Sequence, residues 1–138
     1  MLVMSRKCVP YTPVTAKLAD LTVALVSSTG VYLEDQEPFG DDADVSYRII
    51  PGDADVASLR FRHGHFDETD ARRDPNTVFP LGLLQELARD GFIRGVANKN
   101  IGFRGFSTDL KVMYEKVAPA IAHDIERSQA EAVLLTPG

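Results

Sequence analysis

The stretch of sequence that decides the fold is residues 21–30, Leu-Thr-Val-Ala-Leu-Val-Ser-Ser-Thr-Gly. Its first six residues form an almost continuous apolar run, and four small residues follow it. A β-prone apolar run that ends in a small polar loop is typical of a strand buried in a parallel sheet. We therefore predict a buried strand over residues 21–26, with residues 27–30 forming the loop at its carboxyl end.

Outward from this strand, the chain alternates strand-like and helix-like patterns. Apolar or β-prone runs predict further strands at residues 47–50, 59–62, 92–97 and 132–135. One helix is predicted to begin at Pro80 and to end at the capping residue Gly91. A second is predicted to begin after Ser107 or Thr108 and to be kinked or divided by Pro119, because proline disrupts the helical hydrogen-bond ladder.

Two polar stretches separate these elements. Residues 31–46 carry six carboxylates together with Pro38 and Gly40, and residues 64–77 are polar and irregular, so both are predicted as loops. Strands that alternate with helices favour an α/β fold with a parallel or mixed sheet flanked by helices, a Rossmann-like or flavodoxin-like half.

Composition places the chain among ordinary globular proteins. It has 138 residues, of which 44% are apolar and 25% charged, which suits a single domain. We place this domain at residues 21–138, after an N-terminal arm over residues 1–20 in which Pro10 and Pro13 oppose regular structure. The net charge of −5 gives no reason to expect nucleic acid or an anionic membrane as a partner. No signal-peptide run and no apolar stretch of membrane-spanning length occurs, so we expect a cytoplasmic protein.

A first candidate ligand site lies in the loop Ser27-Ser28-Thr29-Gly30. Ligands of open α/β sheets collect beyond the carboxyl ends of the strands, where loop amides and hydroxyls can hold them. Thr136 follows a second predicted strand and would lie beside this loop if the two strands are neighbours. The alternative is that these small residues only turn the chain. Residues 98–100, Asn-Lys-Asn, also follow a predicted strand and are interpreted as ordinary loop.

A second candidate site is the run His63-Gly64-His65-Phe66-Asp67, which Asp70 and Asp74 follow. Two imidazoles at positions i and i+2 with a nearby carboxylate are a pattern that can bind a divalent metal ion, here through His63, His65 and Asp67. We favour the alternative, a hydrogen-bonded cluster that has a structural or substrate-orienting role, and predict no metal.

Several blocks of the sequence, in order, resemble the selenoprotein B family of the glycine, sarcosine, betaine and D-proline reductases. They are Leu-Val-Ser-Ser-Thr-Gly-Val at 25–31, Ser-Tyr-Arg-Ile-Ile-Pro-Gly-Asp at 46–53, His63 with His65 to Asp67, Thr69-Asp70, Arg-Asp-Pro-Asn at 73–76, Val-Phe-Pro-Leu at 78–81 and Ala-Val-Leu-Leu-Thr-Pro at 132–137. The chain looks closer to the D-proline reductase-like branch and its cysteine-containing homologues than to the glycine reductase branch.

The resemblance implies the reductive cleavage of a C–N bond by a selenocysteine or cysteine nucleophile. The family's redox pair is expected a few residues after Thr136-Pro137, whereas this chain carries a single cysteine, Cys8, which does not match that pair. We therefore assign no catalytic residue and predict no cofactor in this chain. The matched blocks imply substrate-pocket or structural roles for His63, His65, Asp67, Asp70, Asp74 and Asn76, beside the loop candidates Ser27, Ser28, Thr29 and Thr136.

Two functional hypotheses follow. In the first, the chain is the scaffold or substrate-side portion, or a subunit, of such a reductase, and a protein partner or a C-terminal half carries the thiol or selenol. In the second, it is a repurposed small-ligand or metal-binding module without reductase activity. A homo-oligomer is a further alternative, and an enzyme with His63 or His65 as acid–base ranks last because no partner nucleophile supports it.

Overall fold

A computed structural model describes residues 12–137 of the chain. Its strands, in chain order, are β1 (Thr22–Ser27), β2 (Val31–Leu33), β3 (Tyr47–Ile50), β4 (Leu59–Phe61), β5 (Gly95–Val96), β6 (Asn100–Phe103) and β7 (Ala132–Thr136). The strands predicted at residues 21–26, 47–50, 59–62 and 132–135 are confirmed to within a residue at each end.

The main sheet is built around β1. The first two residues of β1 pair with β5 and its last two pair with β6, while β7 pairs with it from Val23 to Ser27, and all of these pairings are parallel. β5 and β6 therefore share one edge of β1, and β7 occupies the other. β3 pairs antiparallel with β6, which makes the sheet mixed, and β2 and β4 form a separate antiparallel pair.

Helices cover both faces of this sheet. The described helices are α1 (Thr69–Arg73), α2 (Leu81–Arg89), α3 (Leu110–Val112) and α4 (Ala118–Arg127), and of these α2 lies on one face of the sheet and α4 on the other. Leu25 of β1 belongs to a core that includes Leu81 and Leu84 of α2, whereas its neighbour Val26 faces a second core with Ile125 of α4. The α/β prediction of a mixed sheet flanked by helices is thus confirmed, and the narrower Rossmann-like or flavodoxin-like description stays a prediction.

The second helical segment is divided near the predicted proline. α3 passes through a π-helical turn (Met113–Val117) into α4, whose first turn contains Pro119. A proline is tolerated in a first turn because its missing N–H is not needed there, and π turns commonly accompany such interruptions. The cap, however, is Asp109 rather than Ser107 or Thr108, since its carboxylate accepts a hydrogen bond from Val112 N at 3.0 Å.

Both predicted loops contain regular structure. Within residues 31–46, the apolar Val-Tyr-Leu at the start forms β2, and Phe39 is fully buried beneath the guanidinium of Arg48, 4.5 Å from its ring centre. Within residues 64–77, α1 forms because Asp67 accepts a hydrogen bond from Thr69 N at 3.0 Å and so starts the turn. A short 3-10 helix (Pro75–Thr77) follows. The carboxylates that suggested loops therefore act in part as turn and helix caps.

Two predictions near residue 100 are wrong in extent. The strand predicted at residues 92–97 is limited to Gly95–Val96, and Phe92 is exposed in the turn that precedes it. The loop predicted at residues 98–100 ends where β6 begins, because the buried Asn100 side chain is bound by three backbone groups of neighbouring segments. An asparagine opposes strand structure by propensity alone, but here tertiary hydrogen bonds decide.

The arm is described only in part. Cys8 lies outside the described residues, as does Gly138, and residues 12–20 are exposed with one 3-10 turn (Leu18–Asp20). Within residues 12–137, no helix combines the length and the apolar character needed to cross a membrane.

Candidate functional site at the carboxyl edge of the sheet

Three polar segments meet where β1 ends. Gly30 N donates a hydrogen bond to Phe103 O at 2.7 Å, and Gly30 O accepts one from Arg62 N at 3.0 Å, so the loop after β1 runs between the segment after β4 and the segment after β6. Gly30 has a φ of +69°, and a Cβ there would collide with the Arg62 carbonyl. Glycine is therefore required for this close approach.

Ser27 and Thr29 lie inside the protein rather than on the edge. Both are fully buried, their hydroxyl oxygens are 2.9 Å apart, and Ser27 Oγ also donates to Val78 O at 3.3 Å. These two predicted ligand residues satisfy each other and hold the loop in place. Ser28, between them, is partly exposed, and its backbone N–H donates to Thr136 O at 3.1 Å.

Thr136 lies directly beside this loop, because β7 pairs with β1 in a register that sets Ser27 opposite Thr136. A cavity of about 330 Å³ opens at this point and is lined by Val26, Ser28, Phe103, Leu135, Thr136 and Pro137. Thr136 Oγ1 is buried and has no hydrogen-bond partner within residues 12–137. Buried hydroxyls are nearly always paired, so the unpaired one makes Thr136, which lines this cavity, a candidate ligand residue.

The centre of the neighbouring cluster is Arg104, which is only 4% exposed. Its guanidinium donates to the carbonyl oxygens of His63, Gly40 and Asp41, and to Asp42 Oδ1 at 2.7 Å. A buried arginine needs this many acceptors to offset its lost hydration. Its donors are thus occupied by the protein, and its role here is to hold the segments together.

The two predicted histidines lie against this cluster. His65 Nε2 is 2.9 Å from Asp42 Oδ1, and the His65 ring is stacked on Phe106 with the ring centres 4.0 Å apart. His63 is 6% exposed, and its Nδ1 accepts a hydrogen bond from His65 N at 3.3 Å. Both imidazoles therefore have protein partners of their own.

The surroundings of this cluster shift the pKa values of its ionisable side chains. The hydrogen bond from His65, and then that from Arg104, lower the pKa of the Asp42 carboxyl below its ordinary value. Burial, and then the positive charge of Arg104, lower the pKa of His63. Burial alone would raise the pKa of Glu68, but hydrogen bonds from His63 N and from Arg72 outweigh it and lower that pKa. The cluster thus favours neutral His63 between ionised carboxylates.

The remaining predicted site residues make local contacts. Asp67 and Asp74 accept hydrogen bonds from the backbone N–H two residues on, and Asn76 Oδ1 accepts from Leu83 N at 3.1 Å in the first turn of α2. Asp70 lies exposed on α1. Across residues 12–137, no three or more His, Cys, Asp or Glu side chains are grouped so that they could hold a metal ion. The structure thus brings His63 and His65 to the β1 loop, and gives Asp67 and Asp74 capping contacts.

Sequence reasoning missed Asp42, Arg104 and Phe106. Asp42 was hidden among the six carboxylates of its segment. A signal for Arg104 does exist, since it lies in the run Gly-Phe-Arg-Gly-Phe at residues 102–106, where one cation stands among glycines and aromatic residues. Such a cation is either exposed on a loop or buried with many acceptors, and only the structure distinguishes the two.

Comparisons with known proteins place the chain among reductase components. The model of a family described as glycine/sarcosine/betaine reductase selenoprotein B matches residues 1–138. D-proline reductase subunit gamma of Acetoanaerobium sticklandii is 42% identical over 128 residues, which is 93% of this chain and 53% of that protein. Glycine reductase complex component B subunit gamma of Carboxydothermus hydrogenoformans is 29% identical over 93% of this chain and 30% of that protein.

A further relative is sarcosine reductase complex component B subunit beta of Peptoclostridium acidaminophilum, which is 29% identical over 74% of this chain and 24% of its own length. The chain thus spans about half of the D-proline reductase subunit and less than a third of the other two relatives. No solved structure matches the chain significantly.

Proposed function

The chain belongs to the glycine/sarcosine/betaine reductase selenoprotein B family, on its D-proline reductase-like side, and we propose that it is the substrate-side portion or subunit of a reductase that cleaves a C–N bond of an amino acid or amine. The observation that carries this proposal is the family match, which runs through all 138 residues. Relatives bear the names of subunits of reductases and reductase complexes, which supports a protein that works with partner chains.

The cavity between the ends of β1 and β7 supports a substrate site there. It lies at the carboxyl edge of parallel strands, where α/β proteins bind their ligands. Thr136 and Ser28 both line it, and Thr136 Oγ1 is buried without a hydrogen-bond partner within residues 12–137. Arg104, His63 and His65 would act as positioning residues, because they fix the loop that carries Ser28 rather than reaching the substrate themselves.

The proposed reaction moves two electrons from a thiol–selenol or dithiol pair to the C–N bond. The selenolate or thiolate attacks the carbon, the C–N bond breaks, and the nitrogen, protonated or quaternary in the substrate, leaves with the bonding electron pair as the neutral amine. The second thiolate then attacks the sulfur or selenium, which closes a disulfide or selenenylsulfide, while the carbon takes a proton. An external dithiol must reduce that bond again before the next turnover.

This chain contributes one cysteine, Cys8, in the N-terminal segment, and the proposal assigns it no part in the reaction. The nucleophilic pair would come from another polypeptide or from a further segment of the protein that carries a thiol or selenol. Such a pair has to stay reduced between turnovers, which fits the cytoplasm that we expect. The proposal requires no cofactor held by this chain.

The test is turnover by the assembled protein. The tagged full chain would be purified from its native cell with its bound polypeptides, supplied with a dithiol reductant, and offered D-proline, glycine, sarcosine and betaine in separate reactions. We expect reductive C–N cleavage of at least one substrate, detected as the deaminated or ring-opened product by mass spectrometry. A Cys8→Ser variant should turn over at the wild-type rate.

Two results would contradict the proposal. Loss of turnover in the Cys8→Ser complex would mean that this thiol takes part in the reaction. A complex without any thiol- or selenol-bearing reductase polypeptide, inactive on all four substrates, would favour the small-ligand module instead.

A further inference from the structure

Strand β7 has the composition of an interior strand but lies at the margin of the sheet. Within residues 12–137 it pairs with β1 alone. Its sequence, Ala-Val-Leu-Leu-Thr, contains no charge and no proline, the devices that proteins use to protect true edge strands. A near-continuous apolar run is instead typical of a strand that has neighbours on both edges and layers on both faces.

The side chains of β7 are exposed on both faces of the sheet. Val133 is 44% exposed, Leu134 39% and Leu135 71%. The register places Leu134 beside Leu25, on the face covered by α2, and Leu135 beside Val26, on the face covered by α4. Neither layer reaches far enough to cover β7, so apolar surface remains open on both sides of one strand.

A groove continues this surface onto α4. It encloses about 510 Å³ and is lined almost entirely by apolar side chains, including Val26, Phe103, Ile121, Ile125, Val133 and Leu135. The open edge of β7 and this groove together form one surface, here called the β7 surface. It offers unpaired backbone groups along the strand and an apolar slot beside it.

We propose that the β7 surface is the docking site of a reductase polypeptide that adds a parallel β-strand to β7, fills the groove with apolar side chains, and carries the reactive thiol or selenol. This inference rests on the proposed function. The comparisons are compatible with a further reductase portion beside this one, because nearly half of the D-proline reductase subunit lies outside its match to this chain.

We infer the parallel orientation from the strands nearest to β7, and it has a chemical consequence. β1, β5, β6 and β7 all run in the same direction, and an added strand of the same kind extends the pattern. The carboxyl end of a parallel neighbour lies at the same edge as Thr136, and the loop after it would border the cavity that Thr136 and Pro137 line. A thiol or selenol on that loop would therefore face the proposed substrate site.

A second copy of this chain fits less well. Two β7 strands related by a twofold axis would pair antiparallel, with their carboxyl ends pointing in opposite directions. Each cavity would then border the amino end of the other copy's strand, and no thiol-bearing loop would reach it. Self-association is for that reason an outcome that the experiment must detect.

The experiment uses the tagged full chain in its native cell and identifies the bound polypeptides by mass spectrometry. Leu135→Lys places a charge in the β7 surface, and Leu83→Lys, at a 48% exposed leucine of α2, is the matched control. We expect a thiol- or selenol-bearing reductase polypeptide with wild type and Leu83→Lys, and at least about a tenfold loss of it with Leu135→Lys. The amides of residues 132–136 in the wild-type complex should exchange hydrogen more slowly than in the free chain, which tests the surface without any substitution.

The other outcomes show whether the docking inference or the proposed function is wrong. If the reductase polypeptide binds Leu135→Lys as well as wild type, or leaves exchange in residues 132–136 unchanged, the β7 surface is not its docking site, although the proposed function stands. If sedimentation shows only a homodimer that Leu135→Lys dissociates, a second copy occupies the surface and the inference is overturned. If no reductase polypeptide is found with any variant, the inference is overturned, and the proposed function fails as well if the purified protein is inactive on all four substrates.

Discussion

The guanidinium of Arg104 donates two hydrogen bonds to the backbone carbonyl oxygen of His63, at 3.1 Å from Nε and 2.6 Å from Nη2. These bonds join the segment after β6 to the segment after β4 on either side of Gly30. The same side chain reaches the acidic segment through Gly40 O and Asp42 Oδ1. One buried cation therefore sets the geometry of three loops at the carboxyl edge.

Substituting Arg104 should destabilise the fold strongly. Arg104→Met leaves several buried carbonyl oxygens without their donor, and we expect the free energy of unfolding to fall by about 2–4 kcal/mol. The matched control is Arg60→Met, whose guanidinium pairs with Glu34 at an exposed site and should cost less than about 1 kcal/mol. Urea unfolding of both variants measures the difference, and equal losses would show that Arg104 is not the organising residue.

His63 should make stability depend on pH in a defined window. Burial and the charge of Arg104 lower the pKa of His63 below 6.5, so the unfolded chain takes up the proton first as the pH falls. The stabilising contribution is complete above about pH 6.5 and is lost as the pH falls below that value, by at most about 1.4 kcal/mol per pH unit. The low pKa values of Asp42 and Glu68 keep both carboxylates ionised across this window, so they should not contribute to the slope.

The measurement is urea unfolding at about pH 7.5 and about pH 5. His63→Gln should lose less stability between the two than wild type does. His123→Gln, at an exposed position of α4, should behave like wild type. A wild-type slope that survives in His63→Gln would assign the pH dependence to another group.

Asn100 should contribute strongly to the stability of the sheet. Its Oδ1 accepts from Leu25 N at 2.8 Å, and its Nδ2 donates to Ile50 O at 3.1 Å and Ala97 O at 2.9 Å. Asn100→Ala removes all three bonds within the sheet, and we expect a loss of about 2–4 kcal/mol in the free energy of unfolding. Asn98→Ala, at an exposed position two residues earlier, should lie within about 0.5 kcal/mol of wild type. If both variants unfold alike, Asn100 is not a structural link.

The sequence allowed the framework to be predicted because its strands carry strong local signals. The run at 21–26 and the run at 132–135 are apolar enough to indicate buried parallel strands, and both form. Asn100 shows where such reasoning stops, since its partners Leu25 N and Ile50 O are far away along the chain and leave no local signature. The short segment Val31–Leu33 was similarly concealed by the carboxylates that follow it.

The site was predictable in position but not in detail. Ligands of α/β sheets bind beyond the carboxyl ends of strands, and this rule led to residues 27–29 and Thr136. The register of β1 and β7 does set them side by side. Which hydroxyls are satisfied depends on packing, however, and the sequence could not reveal that Ser27 and Thr29 bind each other. The positions of Arg104 and Asp42 likewise depend on three loops that meet only in the folded chain.

Substitution by valine should destabilise the protein at Thr29 but not at Thr136. Both hydroxyls lie near the end of the β1–β7 pair, but Thr29 Oγ1 is 2.9 Å from Ser27 Oγ, whereas Thr136 Oγ1 has no partner within residues 12–137. Thr29→Val leaves the buried Ser27 hydroxyl without this bond and should cost about 1–3 kcal/mol. Thr136→Val removes an unpaired polar atom and should leave the free energy of unfolding unchanged or raise it by up to about 1 kcal/mol.

Substrate binding, in contrast to stability, should be impaired by the substitution at Thr136. If Thr136 Oγ1 is a substrate contact, Thr136→Val in the assembled complex should raise the KM for the accepted substrate about tenfold, since a good hydrogen bond is worth about 1.4 kcal/mol. Stability that is maintained while KM rises would separate a binding role from a structural one. A Thr136→Val chain that loses as much stability as Thr29→Val would show that its hydroxyl already has a partner in the folded protein, and an unchanged KM would remove Thr136 from the substrate site.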